Sequence, residues 1–498
     1  MFIQHFLLWA MAGYAVLLTM PSVVLATTEK DRPNILIVVT DDQGYGDLSA
    51  FNHHASDVHT PHMDRIARDG VLCSQAYVTA PVCSPSRAGW ITGRYQQRWD
   101  AKAGWSPEIP LDYKTLPEYL KKLGYVTGKI GKSDFGKNSQ DRQSRSFPLR
   151  HGYNEFLGFM GHGHDFFLLN EEIERNTPDP RGNSAQLGPL FYNAGRKSYT
   201  EGYTTEIFTD SAIDFMNRHK NKPFFLTLSY NAVHHLIHQS PQKYLDKYDL
   251  KAIPVYDPKT MGRYSRYYNK YNKLNPIGDG EMRRYYLANL NCLDDNIGRL
   301  LDAMDRMDIT DNTLIIFFSD NGGSPLTGAN NRPLRGSKYV MYEGGLRTIF
   351  MVKWPGYLPA GIRYDYRITT LDILPSCLEA AGLPPGGIQG LDGASFMDAL
   401  KENKPSPSSQ TPMFWKFGRQ YAVREGDWKL SQTRDYTKRR PTSQILQGAE
   451  TKDRLRLFNL KEDPAEQNDV SQMHPEMVEK LKALYVKWET QCRQQSTD

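Results

Sequence analysis

Residues 34–42 read NILIVVTDD, a continuous apolar and β-branched run that ends in two acidic residues. Similar runs follow at 223–230, 313–320 and 349–355, and helical patterns lie between them at 116–125, 209–219 and 283–307. A continuous apolar run of this length is typical of a strand that is buried on both faces. Because such runs alternate with helices, the sequence predicts an α/β domain with a large, mostly parallel sheet sandwiched by helices.

Two of these runs end in polar side chains. NILIVVT runs into Asp41 and Asp42, and TLIIFFS runs into Asp320, Asn321 and two glycines. Ligands of open α/β sheets bind at the carboxyl ends of the strands, so we expect these four oxygen-bearing side chains to lie close together. Such a set favours a hard divalent cation such as Ca²⁺ or Mg²⁺ over zinc. Taken singly, each pair also fits a plain turn or a helix cap.

The composition changes at 401–412, a polar and proline-rich stretch that indicates a linker or a long surface loop. After it, MFWKF, YAVREGDWKLS and RLRLFNL are typical of antiparallel strands, and helical periodicity runs from about Pro475 to Cys492. We therefore predict a catalytic domain at 27–405 and a smaller α+β domain with an antiparallel sheet at 406–498.

The first residues predict export. Residues 1–26 form an apolar run that ends in Val24-Leu25-Ala26, which is typical of a signal peptide and its cleavage site. The mature chain is then expected in a periplasm or outside the cell, without stable membrane association; an uncleaved anchor is the alternative. The net charge of +5 is mild for 498 residues and is compatible with anionic substrates. The five cysteines are far apart and odd in number, which argues against a disulfide scaffold.

Residues 83–94, between the two acidic strand ends, read CSPSRAGWITGR. Cys83, Pro85 and Arg87 form a Cys-x-Pro-x-Arg motif, and Thr-Gly-Arg closes the stretch. Together with GYVTGKIGK at 124–132, NRPLRGSKYVMYEGGLR at 331–347 and other stretches across the mature chain, the motif resembles the type I, formylglycine-dependent sulfatase family of the alkaline phosphatase superfamily. The resemblance implies a large mixed sheet sandwiched by helices and the activity of a sulfuric ester hydrolase.

The resemblance implies an unusual fate for Cys83. In this family a maturation enzyme that reads the motif, including Pro85 and Arg87, oxidises the cysteine to formylglycine (3-oxoalanine), and the aldehyde is hydrated to a geminal diol. One hydroxyl attacks sulfur; the other then loses its proton, the carbonyl forms again and sulfate leaves by C–O cleavage. The family pattern also places Arg87 beside the metal-bound diol.

Other roles carry over position by position. The side chains that match the Ca²⁺ ligands of the family are Asp41, Asp42, Asp320, Asn321 and the converted Cys83. Lys132 and Lys338 match two lysines that contact the sulfate, as compact ammonium groups suited to a tetrahedral anion. His234, in NAVHHLIH, matches the histidine that protonates the leaving alcohol.

One position departs from the family. The lysine motif usually continues as Gly-Lys-Trp-His-x-Gly, where the histidine helps the second diol hydroxyl to lose its proton. Here the stretch at 131–136 reads GKSDFG, so Asp134 stands in place of that histidine. Asp134 could act as the base, it could face the substrate while a histidine from 150–167 takes over, or the activity could be lost.

Two further groups are candidate substrate contacts. His162 and His164 lie in a glycine-rich GHGH stretch where the family often lines its pocket, and they lack the spacing of a zinc site. Residues 251–280 mix tyrosines with Arg263, Arg266 and other basic residues, which predicts a loop that grips a sulfated sugar chain or is merely solvated.

The sequence therefore predicts an exported, Ca²⁺-dependent, formylglycine-using sulfatase. Its expected substrate is a sulfated mono-, oligo- or polysaccharide of the algal or glycosaminoglycan type, and its expected partner is the maturation enzyme; no nucleic acid is expected. Two alternatives stay open: a phosphonate monoester or phosphodiester hydrolase of the same superfamily, and a catalytically silent protein that binds sulfated glycans.

Overall fold

The computed structural model describes residues 32–495 apart from 54, 101–103, 106–107, 137–140, 182–184, 273–278, 325 and 435–453. The predicted signal peptide at 1–26 lies outside the described residues. Within the described part, no helix is both long and apolar enough to cross a membrane.

A large mixed sheet forms the centre of the molecule. Its strands are β1 (Asn34–Thr40), β2 (Val71–Tyr77), β3 (Val126–Lys132), β4 (Glu155–Phe159), β5 (Leu190–Tyr192), β6 (Gly195–Lys197), β7 (Phe224–Ser229), β8 (Thr313–Ser319), β9 (Arg347–Thr348), β10 (Phe350–Lys353) and β11 (Ile362–Thr369). Their order is β11-β2-β10-β8-β1-β7-β3-β4-β5-β6, and β9 pairs with β2. The central strands β8, β1, β7, β3 and β4 are parallel, whereas β10, β9 and β5 are antiparallel to their neighbours.

Helices cover both faces of this sheet. They are α1 (Pro61–Arg68), α2 (Cys83–Thr92), α3 (Leu116–Lys122), α4 (Glu171–Asn176), α5 (Thr204–His219), α6 (Gln242–Asp246), α7 (Pro258–Met261), α8 (Tyr264–Asn272), α9 (Asp279–Arg306), α10 (Glu343–Leu346), α11 (Ile373–Ala380) and α12 (Met397–Glu402). Successive residues of β1 belong to different apolar clusters: Leu36 and Val38 pack with α1, α5 and α9, while Ile35 and Ile37 pack with α2, α3 and α11. The strand is buried on both faces, as its continuous apolar run predicts.

The C-terminal region forms a second, smaller sheet. Strands β12 (Met413–Phe417), β13 (Gln420–Glu425), β14 (Trp428–Thr433) and β15 (Arg454–Asn459) are antiparallel in chain order. Helix α13 (Pro475–Gln495) packs on this sheet through Leu481, Tyr485 and Trp488. The predicted fold class is confirmed: a large, mostly parallel α/β sheet and a smaller antiparallel sheet. The division at residue 405 stays a prediction.

The proline-rich stretch at 401–412 is a packed loop. Ser406 and Ser408 are buried, and their hydroxyl groups donate to the Arg367 carbonyl oxygen and to Asp372 Oδ1, each at 2.6 Å. The segment is therefore held against the end of β11, which fits a surface loop better than a free linker.

Candidate active site

The predicted site lies where four parallel strands end side by side. In the order β8, β1, β7 and β3, the carboxyl ends of these strands carry Asp320, Asp41, Ser229 and Lys132. Parallel strands bring their carboxyl ends to one edge of a sheet, so residues that are far apart in sequence meet there. All four side chains are fully buried.

The two acidic strand ends contact each other directly. The Asp42 amide donates to Asp320 Oδ1 at 3.2 Å, and the Asn321 side-chain amide donates to Asp42 Oδ1 at 2.7 Å. Asp42 has a φ of +61°, in the left-handed region that aspartate tolerates better than most residues. Gly322 permits the next turn, since a Cβ there would lie 1.9 Å from the Gly344 carbonyl oxygen.

Cys83 is the first residue of α2 and faces this cluster. It is 4% exposed, and its Sγ lies 3.3 Å from Lys338 Nζ. Burial raises the pKa of the Cys83 thiol to about 12, against the opposing effect of Lys132 and Lys338. The thiol is therefore protonated at neutral pH and is a poor nucleophile as it stands.

Arg87 lies one helical turn further along α2 and joins three strand ends. Its Nε donates to Asp320 Oδ2 at 2.9 Å, and another guanidinium nitrogen donates to Ser229 Oγ. A guanidinium nitrogen also lies 4.0 Å from Asp41 Oδ1. Arg87 is fully buried and paired with carboxylates, which is the arrangement that a buried guanidinium requires.

Two lysines lie on opposite sides of the aspartates. Lys132 Nζ is 2.8 Å from Asp41 Oδ2, and Lys338 Nζ is 2.8 Å from Asp42 Oδ2. Despite burial, the neighbouring carboxylates raise the pKa of both lysines, so both remain protonated.

Some oxygen atoms of this cluster lack a partner. Asp41 Oδ1 and Asn321 Oδ1 are buried without a hydrogen bond. Burial, together with the charge of neighbouring aspartates, raises the pKa of Asp41 and Asp42. Ligand atoms of Asp41, Asp42, Cys83 and His234 lie within 4.8 Å of one another, which forms a possible metal site. A cation would satisfy the free oxygens and offset the repulsion between the acids.

His234 follows β7 and faces the same aspartates. Its Nε2 is 3.6 Å from Asp42 Oδ2, and its Nδ1 is 4.0 Å from Asp41 Oδ2. Burial, followed by the charges of Lys338 and His235, holds the pKa of His234 well below its usual range. The next residue, His235, contacts the His234 ring through Nδ1.

Asp134 lies in the same site, and His162 reaches it from the loop after β4. Asp134 Oδ1 is 3.1 Å from His162 Nδ1, and Asp134 Oδ2 is 3.3 Å from Lys132 Nζ. The charges of His162 and Lys132 hold the pKa of Asp134 well below its usual range despite burial. The carboxylate is fully buried, whereas the imidazole side chain keeps 27% of its surface exposed.

Comparison with known proteins identifies the family. The sulfatase family model matches residues 33–383, which contain every residue of the site described above. The chain belongs to the sulfatase family. It is a sulfuric ester hydrolase of the alkaline phosphatase superfamily, and a second model, the C-terminal region of N-sulphoglucosamine sulphohydrolase, matches 337–493.

Individual sulfatases resemble the chain over most of its length. Mouse arylsulfatase J is 29% identical over 91% of this chain and 75% of its own length. Human N-acetylgalactosamine-6-sulfatase is 29% identical over 75% of this chain and 66% of its own. The crystal structure of Ps i-CgsB in complex with k-i-k-neocarrahexaose is 28% identical, covers 93% of this chain and 94% of its own, and superposes with a TM-score of 0.75.

The other predicted substrate contacts of this sulfatase are not among the side chains that surround Cys83. His164 is fully buried; its Nδ1 contacts the Asp165 carbonyl oxygen, and its ring packs on Phe159. Burial lowers the pKa of His164 to about 4. The side chain is therefore packed inside the protein, and a direct contact with substrate would require rearrangement of this loop.

The basic and aromatic stretch near 264–272 is a helix and not a loop. Tyr264, Tyr267 and Tyr268 are buried on the inner face of α8, while Arg263 at its start and Arg266 are exposed. The spacing i, i+3, i+4 is a helical pattern, which the interpretation as a loop overlooked. The buried tyrosines pack on the histidine segment, with the Tyr268 ring 5.4 Å from His235, so they are not free to stack on sugars.

Sequence reasoning missed two side chains of the site. Ser229 holds the Arg87 guanidinium, and Tyr339 lies beside Lys338 with its ring centroid 5.6 Å from Nζ. A serine at a strand end carries no distinctive signal. The positive φ of Tyr339, +82°, is visible only in the structure.

Proposed function

We propose that this sulfatase removes sulfate from a sulfated carbohydrate by means of a formylglycine derived from Cys83 and a bound Ca²⁺. The observation that carries the proposal is the contact of Cys83 Sγ with Lys338 Nζ at 3.3 Å, inside a buried cluster of acids with partnerless oxygens. A protonated thiol would be a poor nucleophile at this position. An oxygen nucleophile beside a cation and two ammonium groups is suited to sulfate transfer.

The Ca²⁺ would be held by oxygen atoms of Asp41, Asp42, Asp320 and Asn321, together with the converted side chain of residue 83. Oxygen-only ligands favour Ca²⁺ or Mg²⁺, and the two unpartnered oxygens of Asp41 and Asn321 fit such an ion. When bound, the cation and the hydrated aldehyde supply an acidified hydroxyl nucleophile and a second hydroxyl through which sulfate is released.

The surrounding side chains bind and orient the ester. Lys132 and Lys338 remain protonated and would hold the sulfate oxygens, while Arg87 keeps the start of α2 against the strand ends. His234 would donate its proton to the leaving alcohol oxygen. Its pKa is low without substrate, and an anionic ester beside the ring would favour the protonated form.

We assign the base that releases sulfate to His162. Asp134 contacts Nδ1, which fixes the tautomer and orients the ring, so Nε2 can take a proton from the nucleophile's second hydroxyl. His162 also acts electrostatically on the pKa of His234 and His235, which supports its position within the same site. Asp134 is then a positioning residue. In this proposal, Asp134 and His162 together take the role of the histidine that the family usually has.

Two observations support a sulfated carbohydrate as the substrate: the named substrates and ligands of similar proteins, and the exposed positive charges of this chain. One similar sulfatase is named for N-acetylgalactosamine 6-sulfate, and the Ps i-CgsB structure holds a neocarrahexaose. The exposed Arg263 and Arg266 lie on the helix whose inner face packs against His235, so they would meet sulfates on neighbouring sugars. Export, the dedicated maturation enzyme and the domain division at residue 405 belong to the same proposal.

Mass spectrometry of the peptide that spans Cys83 tests the nucleophile. Protein made together with a maturation enzyme should carry the aldehyde at residue 83, and Cys83→Ala should release no sulfate; Cys73→Ala, at a buried thiol of β2, should stay active. Unconverted thiol in an active protein would overturn the mechanism. Sulfate release from algal and glycosaminoglycan oligosaccharides, compared with phosphodiester hydrolysis, tests the substrate class.

A further inference from the structure

Three aromatic side chains from separate parts of the chain meet beside Lys338. The Trp105 ring centroid lies 5.8 Å from that of Tyr339 and 4.9 Å from that of Phe417, the latter in an edge-to-face arrangement. Trp105 is 50% exposed, whereas Tyr339 and Phe417 are half-buried. An indole that rests on two rings and keeps half its surface in water has one side available for a ligand.

Hydrogen bonds hold the backbone of Tyr339, one of the two residues whose rings contact Trp105. The Tyr339 amide donates to the Pro81 carbonyl oxygen at 2.9 Å, and its own carbonyl accepts from Gln420 Nε2 at 3.0 Å. Tyr339 also has a φ of +82°, a conformation that costs a bulky residue energy and that is concentrated at functional sites. The segment before Cys83 and strand β13 therefore hold the backbone of Tyr339 in place together.

The same tyrosine reaches the catalytic groups. It is the residue after Lys338, and the Lys338 ammonium lies 5.6 Å from its ring centroid. Burial raises the pKa of the Tyr339 hydroxyl to about 12, and the charges of Lys338, Asp42 and Cys83 all act on it. Tyr339 thus lines the catalytic pocket, and Trp105 continues the same wall toward solvent.

We propose that Trp105, Tyr339 and Phe417 form an aromatic wall that binds the sugar ring next to the one that carries the scissile sulfate. This assignment rests on the proposed function and deepens it, because it implies a substrate of at least two sugars. Flat aromatic side chains offer large contact area at small entropic cost, and the apolar faces of pyranose rings pack on them. Aliphatic or aryl sulfates would not need Trp105.

Binding to an inactive protein tests the wall without turnover. In a Cys83→Ala background with Ca²⁺ present, calorimetry would measure the affinity for sulfated hexasaccharides from carrageenan and from a glycosaminoglycan that carries N-acetylgalactosamine 6-sulfate. We expect Trp105→Ala to weaken binding of the preferred hexasaccharide about tenfold. The matched control is Tyr192→Ala, because Tyr192 is also 50% exposed but lies on β5, next to the edge strand β6.

A second variant separates loss of the aromatic ring from damage to the fold. Tyr339→Gly removes the ring, and glycine adopts a φ of +82° without strain, so this variant should fold and should also bind the hexasaccharide about tenfold more weakly. Unchanged affinity in both variants, with normal sulfate release by the converted wild type, would overturn the wall and leave the proposed function intact. If the converted wild type releases sulfate from aryl sulfate but from no sulfated sugar, the proposed substrate class is wrong, and the wall is overturned with it.

Discussion

Asp134 Oδ1 lies 3.1 Å from His162 Nδ1, so an acid and an imidazole from two different loops contact each other beside Lys132. Of the three interpretations that the sequence leaves open, this contact favours a histidine from 150–167 as the base. The positive charges of Lys132 and Arg87 also help to compensate the burial of the Asp134 carboxylate.

Removal of the base should slow sulfate release. We expect His162→Ala to lower kcat roughly 10²- to 10⁴-fold without raising KM, because proton transfer is lost while the ester still binds. Rapid-mixing kinetics should show a burst of alcohol, and mass spectrometry should detect sulfate retained on the peptide that contains residue 83. A larger loss in Asp134→Asn than in His162→Ala would instead make Asp134 the base. The control is His62→Ala, at a half-buried histidine of α1.

Removal of the cation should destabilise the protein as well as inactivate it. Asp41 and Asp42 are held close together in a buried cluster, and a bound cation relieves this repulsion only in the folded state. We expect a chelator to abolish activity and lower Tm, and added Ca²⁺ to restore both. In Asn321→Ala the increase of Tm with Ca²⁺ should become smaller, whereas an equal increase in that variant would contradict the assigned ligand set.

The exposed cations of α8 should contribute to binding of long substrates through charge. We expect Arg263→Gln with Arg266→Gln to raise KM for a sulfated polysaccharide several-fold, and the difference from wild type to shrink as salt is added. Arg306→Gln is the control, because this exposed arginine ends α9 at the opposite edge of the sheet. An unchanged KM for every oligosaccharide would remove these residues from the substrate site.

Asp372 should make stability depend on pH in an unusual direction. Burial raises the pKa of Asp372 from its ordinary value of 3.8 to about 7, although the carboxylate accepts hydrogen bonds from the Thr369 and Ala394 amides and from Ser408. A raised pKa means that the folded state holds the proton longer, so the contribution of this residue is most favourable below about pH 4 and declines up to about pH 7.

The size of this effect can be measured by comparison. Between about pH 4 and pH 7 we expect the free energy of unfolding of the wild type to fall by up to roughly 4 kcal/mol relative to that of Asp372→Asn, in which the position does not titrate. Thermal unfolding across this range checks the slope, and Asp398→Asn on α12 controls for an exposed carboxylate. Parallel curves for wild type and Asp372→Asn would show that Asp372 does not titrate in this range.

The sequence predicts those parts of the site that follow from regular patterns. The run at 34–40 is buried on both faces and ends at Asp41, and the meeting of Asp42 with Asp320 follows from the rule for parallel strands. The contacts of Asp134 and Tyr339 were not predictable, because each depends on a loop with a positive φ and on a partner from a distant segment. The composition at 251–280 predicts a loop, whereas the i, i+3, i+4 spacing of tyrosines within 264–272 indicates the helix that the structure contains.

The burial of Cys83 limits the time at which this residue can be modified relative to folding. Every residue of α2 is buried, and Arg87 is tied to Asp320 and Ser229. Once the sheet has formed, the Cys-x-Pro-x-Arg stretch is buried, so the proposed maturation enzyme would have no access to it. If Cys83 is converted as we propose, we expect the oxidation to take place between synthesis of this segment and closure of the fold, and molecules left unconverted to fold but to release no sulfate.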